Sequence, residues 1–428
     1  MDPGRFRSPS DEARNDLPGQ SPSRLICRQP ILNGRREVAG YGILFSVGWE
    51  SDFGPDPDDT VGRRLAESLC AGIGALAGSR LAFIKCTREA VVSELATVFP
   101  PKTTVLEIAA PAKPDDELVS ACVHLRKMGY AFALDGLLPD AKMLPLLEIA
   151  SYVKVDFYRS DPQTRREIKR FMRGTRAKLL GEKVEDHLEF AMARAEGFEF
   201  FQGEFFFRPK LVAGRPIPPN RMAYLRLLMQ LARTPVDVDE VMRIVQSEAS
   251  LCCKLLLLAN SPLWALRSNV TSPKHALMLM GEGRFRTLVS AATSSVLSEH
   301  QPSALSSLSL QRARFCELLA PEVGEKPNEQ FILGLLSLLD AMLETQIEPV
   351  IKTLSLRAEA RAALLGSNDS AAAPNSAAAP LGLIRAFESA DWESCAKMTS
   401  ALGISEETLG RLYVESVEWA AKTLSVIR

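Results

Sequence analysis

Histidine is scarce in this chain. Only four occur in 428 residues, His124, His187, His275 and His300, and none forms HExxH or an adjacent His-Asp pair. That excludes the usual histidine-based metal centres. The eight cysteines contain no CxxC pair, and Cys252 and Cys253 are merely neighbours. They read as buried thiols in a reducing compartment. No apolar run reaches the roughly 18 residues needed to cross a membrane. The richest stretches, Leu251 to Ala259 and Phe331 to Leu343, are interrupted by Lys254 and Asp340. The N-terminus has no apolar signal-peptide core, so a cytoplasmic location is expected. Neither sign of charge dominates: Lys plus Arg total 51, Asp plus Glu 52. Such a balance argues against dedicated nucleic-acid binding.

What is present is a large apolar fraction, 46% of residues, enough for cores in two domains at this length. Residues 1–23 are rich in Pro, Ser, Arg, Asp and Gly and are expected to be a disordered tail. From Leu25 to Val212 short apolar runs alternate with helix-like segments. The runs are Leu25–Ile26, Val38–Phe45, Leu81–Ile84, Val105–Ile108, Ala131–Leu134, Tyr152–Val155, Ala177–Leu180 and Phe198–Phe201. Amphipathic stretches such as Thr60 to Ala77, Asp115 to Met128 and Pro162 to Arg173 lie between them. This alternation predicts a parallel sheet with helical crossovers, closed as a TIM-like (β/α) barrel. Asn33-Gly34 predicts a tight hairpin between the first two runs, which makes the start of the barrel atypical. After Arg215 the strand signals vanish and helical periodicity takes over, so an all-α bundle is expected. Asp237 with Glu240, Ser272 with Pro273, and Ser405 with Glu406 and Glu407 supply helix starts. The polar and Ala-rich stretch from Gly366 to Pro380 reads as a surface loop. The expected division is a tail at 1–23, a barrel at 24–212 and a helical domain at 213–428. Pro216, Pro218 and Pro219 mark the junction and predict that the domains pack as one unit.

In such a barrel, functional side chains sit at the C-terminal ends of strands. Glu107, Asp135, Asp156 and Glu182 fall there, and Lys154 lies within one of the same strands. A ring of carboxylates suits a divalent cation that activates water for phosphodiester hydrolysis. The competing reading is that these acids only cap helices or solvate loop starts. Three other features are set aside as structural. Gly72-Ile73-Gly74 falls inside a helical pattern and does not join a strand to a helix. Phe205-Phe206-Phe207 reads as barrel and interdomain packing. Arg165, Arg166, Lys169, Arg170 and Arg173 read as a solvated helix face.

The segments Arg28-Gln29-Pro30-Ile31 and Gly40-Tyr41-Gly42-Ile43-Leu44-Phe45 resemble the opening of EAL domains that precede HDOD domains. Leu106-Glu107-Ile108, Ala133-Leu134-Asp135-Gly136, Val153-Lys154-Val155-Asp156, Gly181-Glu182-Lys183-Val184-Glu185 and Gln202-Gly203-Glu204-Phe205-Phe206 match later EAL motifs in order and spacing. EAL domains are cyclic-di-GMP phosphodiesterases. The resemblance makes Glu107, Asp135, Lys154, Glu182 and Glu185 counterparts of the family's site. It also marks departures. The metal-binding Glu of the opening motif corresponds to Gly42, and its trailing Arg to Ser46. The family's Asn ligand corresponds to Lys85, and the second of the paired aspartates to Gly136. Losing three oxygen ligands and gaining an ammonium implies a degenerate site with no bound metal and no cofactor.

The second half resembles the HDOD family, a helical output domain related to HD phosphohydrolases. The resemblance runs from Val236-Asp237-Val238-Asp239-Glu240 through Lys254-Leu255-Leu256, Ala259-Asn260-Ser261 and Thr271-Ser272-Pro273-Lys274-His275-Ala276 to Phe331-Ile332-Leu333-Gly334-Leu335-Leu336-Ser337-Leu338-Leu339-Asp340. Where many such proteins carry a His-Asp pair, this chain has Ser337 and Leu338. Asn260 is expected to brace the turn through Ser261-Pro262. The resulting expectation is a degenerate EAL–HDOD protein that is not an enzyme. Its partners would be other signalling or regulatory proteins, reached through the HDOD domain. The rival readings are a non-hydrolytic cyclic-di-GMP receptor and, less favoured, a residual phosphodiesterase.

Overall fold

A computed structural model describes residues 25–47, 60–109, 114–208, 219–233, 236–266, 268–297, 302–344, 348, 351, 357–365 and 377–427. The expected tail, Pro216, Pro218 and most of the stretch from Gly366 lie outside these residues.

Eight strands close into a barrel in sequence order: β1 (Ile26–Asn33), β2 (Val38–Phe45), β3 (Leu81–Cys86), β4 (Thr104–Ala109), β5 (Ala131–Asp135), β6 (Tyr152–Asp156), β7 (Lys178–Glu182) and β8 (Phe200–Gln202). β1 is antiparallel to both β2 and β8, while β2 through β8 run parallel. The hairpin at Asn33-Gly34 is the cause of the reversal. The Asn33 side-chain oxygen accepts from the backbone N–H groups of Arg35 and Glu37 and so closes the turn. Helices α1 (Thr60–Ala77), α2 (Arg88–Val92), α3 (Asp116–Lys127), α4 (Leu144–Ile149), α5 (Pro162–Phe171) and α6 (His187–Glu196) follow the strands. Asp115, Asp161 and Asp186 cap α3, α5 and α6 by accepting backbone N–H groups of the first turn. Gly72 and Gly74 lie within α1, as the helical pattern requires.

Inside the barrel, side chains alternate with period two. Ile31, Phe83, Val105, Ala133 and Leu180 form an apolar plug, with Tyr152 and Phe200 packed against it. Two residues further toward the C-terminal mouth, the inward positions are Lys85, Glu107, Asp135, Lys154 and Glu182. The change from apolar to charged along one face separates the part of the barrel that is core from the part that can meet a ligand.

The remainder of the described chain is helical: α7 (Pro219–Ala232), α8 (Val238–Ser247), α9 (Ala249–Ala259), α10 (Pro273–Leu297), α11 (Ser303–Leu319), α12 (Pro327–Leu336), α13 (Leu339–Leu343), α14 (Ala358–Leu365), α15 (Ala379–Glu388), α16 (Trp392–Leu402) and α17 (Glu406–Ile427). Asp237 caps α8 through the Glu240 N–H, and Ser272 accepts from the His275 N–H at the start of α10. Two details depart from the sequence reading. Ala377 to Pro380 are buried, and Pro380 stands in the first turn of α15 rather than in a surface loop. Pro fits there because that turn has no helical partner for an N–H. Arg165 is also not solvated. It is 5% exposed, stacks on Phe157 and pairs with Glu196 at 2.7 Å.

Barrel and bundle share one apolar cluster. β8 is short, so the mouth end of β1 has no strand on that side. The bundle closes this seam. The Arg28 backbone N–H donates to the Tyr413 hydroxyl of α17 at 3.2 Å, and Gln29 Nε2 donates to the Glu388 carbonyl at 3.2 Å. Among the described residues, no helix is long and apolar enough to cross a membrane.

Candidate functional site

The mouth opens into a cavity of about 1530 Å³. Its floor is the charged layer of the barrel, and its far wall comes from α11, α15 and the residues after α12.

Lys154 is the centre of the floor. Its ammonium is 2.8 Å from both Glu107 oxygens and 2.5 Å from Glu182 Oε1. Lys154 and Glu107 are 2% and 3% exposed, so this is a buried ion cluster. Burial works against the Lys154 charge, but the Glu107 and Glu182 carboxylates outweigh it and hold the pKa above the ordinary lysine value. Glu182 is pushed up by burial. Its share of the Lys154 charge opposes this, and Asp135 and Glu107 add to the upward shift. Lys85 Nζ reaches Asp135 Oδ2 at 3.0 Å. Burial opposes its charge too, and Asp135 more than restores it.

Near the rim, Asp156 accepts from Lys183 at 2.7 Å and from the N–H groups of Tyr158 and Arg159. Glu185 pairs with Arg208 at 2.7 Å, and Arg208 also reaches Glu204 at 2.8 Å. Burial raises the Glu185 pKa, Glu204 adds to the shift, and Arg208 opposes it.

The structure therefore brings Glu107, Asp135, Lys154 and Glu182 together and places Glu185 at the rim of the same cavity. Lys85, Gly42 and Gly136 line it as well. At Gly42 a Cβ would stand 2.9 Å from Gln202 Nε2, so the Gln202 amide fills the space beside that position. Gly136 has φ +75°, a backbone state that favours glycine. The Lys154 and Lys85 ammonium groups hold the inward carboxylates, so a divalent cation there would compete with two positive charges. Among the described residues, no group of three or more His, Cys, Asp or Glu side chains is placed to hold an ion.

In the sequence Gln29 and Gln202 stand within motif segments without an assigned site role, and Arg312, Arg385 and Glu388 are not singled out. Gln202 Nε2 donates to Gln29 Oε1 at 3.0 Å. On the bundle side, Arg312 Nε and Nη2 both donate to Glu388 Oε2, at 2.9 and 2.7 Å, and Nη1 donates to Ser337 Oγ at 3.3 Å. Ser337 thus holds an arginine at the place where many HDOD proteins carry a His-Asp pair. The sequence signals were the place of Gln29 and Gln202 within the EAL-like segments and the polar character of Arg312, Arg385 and Glu388 inside apolar helices.

Asn260 braces the backbone, but at a different place from the one expected. Its amide spans Leu256 and Val270, accepting the Val270 N–H at 2.7 Å and donating to the Val270 carbonyl at 2.9 Å. The Phe205–Phe207 run packs as expected. Phe205 stacks on Phe190, and Arg312 of the bundle lies over Phe207.

The described chain places a helical bundle against a closed barrel with charged strand ends. The HDOD domain model matches residues 217–367. The chain is 30% identical over 406 residues to a protein of Vibrio cholerae serotype O1 named cyclic di-GMP phosphodiesterase CdgJ, covering 92% of each. It is also 30% identical over 407 residues to the uncharacterized protein YuxH of Bacillus subtilis strain 168, covering 92% of this chain and 97% of that one. The EAL enzyme Bd1971, solved with cAMP and cyclic-di-GMP bound, aligns at 16% identity and a TM-score of 0.34, over 44% of this chain and 62% of that one. The chain belongs to the EAL–HDOD family.

The Vibrio relative overturns one expectation. The sequence reading held that the protein is not an enzyme, yet a relative matching nearly end to end is named a phosphodiesterase. The expectation rested on the departures at Gly42, Lys85 and Gly136, and a count of lost ligands is not a measure of activity.

Proposed function

We propose that the protein is a cyclic-di-GMP signalling protein that takes the dinucleotide at the barrel mouth. Its output would pass through contacts of the helical bundle with other signalling or regulatory proteins. In this reading residues 24–212 form the recognition unit and 213–428 the output unit. Glu107, Asp135, Lys154, Glu182 and Glu185 set the charge of the recognition site.

The observation that carries the reading is the cavity of about 1530 Å³ over the charged strand ends. Ordinary small-molecule sites are about 300–1,000 Å³, so this one has room for a ligand the size of a dinucleotide. The layer beneath it is fixed by ion pairs, which gives a ligand a preorganised polar floor. The name of the Vibrio relative supports the choice of ligand.

Calorimetric titration of the full chain with cyclic-di-GMP, with and without magnesium, tests the reading. Saturable binding is expected. Absence of heat under both conditions sinks it. Chromatography of the same samples reads any linear dinucleotide, and its loss in Glu182→Ala would place turnover at this mouth.

A further inference from the structure

The cations around the cavity differ in what they already hold. Lys85 pairs with Asp135, Lys154 with Glu107 and Glu182, Lys183 with Asp156, Arg208 with Glu185 and Glu204, and Arg312 with Glu388. Arg159 approaches Asp156 at 3.8 Å, and the Arg28 guanidinium, which has no carboxylate, is taken up by the Leu76 carbonyl, the Gln311 amide oxygen and the Tyr41 ring. Arg385 on α15 holds less than any of these. It lines the cavity, yet no carboxylate lies within ion-pair distance of it among the described residues. Its Nη1 donates to the Ala363 carbonyl over a long 3.4 Å.

Its surroundings sharpen this. Burial, and then the neighbouring Arg312 guanidinium, lower the Arg385 pKa. Glu388 and Asp340 are the acids that act on it from nearby. Glu388 is committed through Oε2 to Arg312. Asp340 accepts the N–H of Ala341 at 2.8 Å, and burial raises its pKa. A partly buried guanidinium beside a second one is costly without an anion. Its planar fork of donors suits a phosphodiester oxygen pair.

We propose that Arg385 is an anion-binding residue of the mouth, so that a phosphodiester ligand bridges barrel and bundle. This rests on the reading of the mouth as a cyclic-di-GMP site. The bases or sugars would lie over the charged strand ends, and one phosphate would face α15. Because α15 packs against β1 at Gln29 and Glu388, the ligand would contact both sides of the seam that joins the domains. Ligand binding would therefore stabilise the docking of the two domains and couple the mouth to the output unit.

The test is titration of the full-length protein with cyclic-di-GMP at two salt concentrations, for wild type, Arg385→Gln and Arg385→Lys, with circular dichroism as the folding control. Removing a charge-assisted contact is expected to weaken binding about tenfold to a hundredfold. The salt dependence should fall in Arg385→Gln, and Arg385→Lys should recover part of the affinity. Wild-type binding with unchanged affinity in a folded Arg385→Gln overturns this proposal and leaves the mouth reading intact. No binding by wild type overturns both. If Arg385→Gln does not fold, Arg385→Met takes its place: a folded neutral variant that binds as wild type overturns the proposal, and one weakened at least about tenfold with a smaller salt dependence supports it.

Discussion

Lys154 shows how a single position sets the character of the mouth. It is 2% exposed and shares its charge between two carboxylates. Burying such a group repays its desolvation only while both partners remain. Lys154→Met is expected to destabilise the fold by about 3–5 kcal/mol at neutral pH, since it leaves Glu107 and Glu182 facing one another without a cation. The deficit should depend on pH. Without the ammonium, the Glu182 carboxyl, already pushed up by burial, rises further above the unfolded value of about 4.3. Stability carried by groups shifted in that direction is present below the unfolded pKa and lost as pH rises through the folded one. The Met variant should therefore lose more stability at pH 8 than at pH 5. Urea titrations at both pH values measure this. An equal loss at the two pH values would mean that the carboxylates are not the source of the penalty.

At the scale of elements, the helix pair α11 and α12 depends on a glycine. A Cβ on Gly334 would stand 2.5 Å from the Arg312 carbonyl oxygen and 2.7 Å from the Ala313 Cα. Those are backbone atoms, so relief requires moving a helix. Ala for Gly favours the helix intrinsically by up to about 1 kcal/mol, and overpacking costs about 1–3 kcal/mol. Gly334→Ala is expected to be net destabilising, by up to about 2 kcal/mol once the full helix gain is set against the overpacking. Because α11 carries Arg312, the change should also disturb the Glu388 pair. A thermal melt showing a more stable variant would contradict the close approach of the two helices.

The elements also show what the sequence made legible. The apolar runs located every strand of the barrel, and the period-two face carried Asp135, Lys154 and Glu182 to one mouth. β1 is longer than its apolar run because Arg28 and Gln29 are polar residues at a seam facing the bundle. Local hydrophobicity has no means of recording that. Arg165 failed for the same reason, since its partners Phe157 and Glu196 come from elsewhere in the chain. The bundle's contribution to the mouth was illegible because Arg312, Arg385 and Glu388 meet it only after the domains dock.

Across the whole molecule, the domains are held by more than a linker. Inter-domain interfaces are usually small and polar, and relative motion is then the default. Here the apolar cluster runs through both domains, with Leu25 buried at the start of β1 beside the Gly410 turn of α17. The Tyr413 hydroxyl satisfies the Arg28 N–H on the open edge of β1. An unpaired buried donor there would cost about 1–3 kcal/mol. The barrel mouth is thus completed by the bundle, and neither surface is suited to water alone. Two-domain proteins commonly unfold in separate steps, but this one is expected to melt in a single calorimetric transition. Tyr413→Phe should lower the midpoint of that transition without splitting it. Small-angle scattering should show a narrow distribution of interdomain distances for the wild type. Two resolved transitions together with a broad distance distribution would mean that the seam is not a permanent contact, and the coupling assigned to α15 would lose its structural basis.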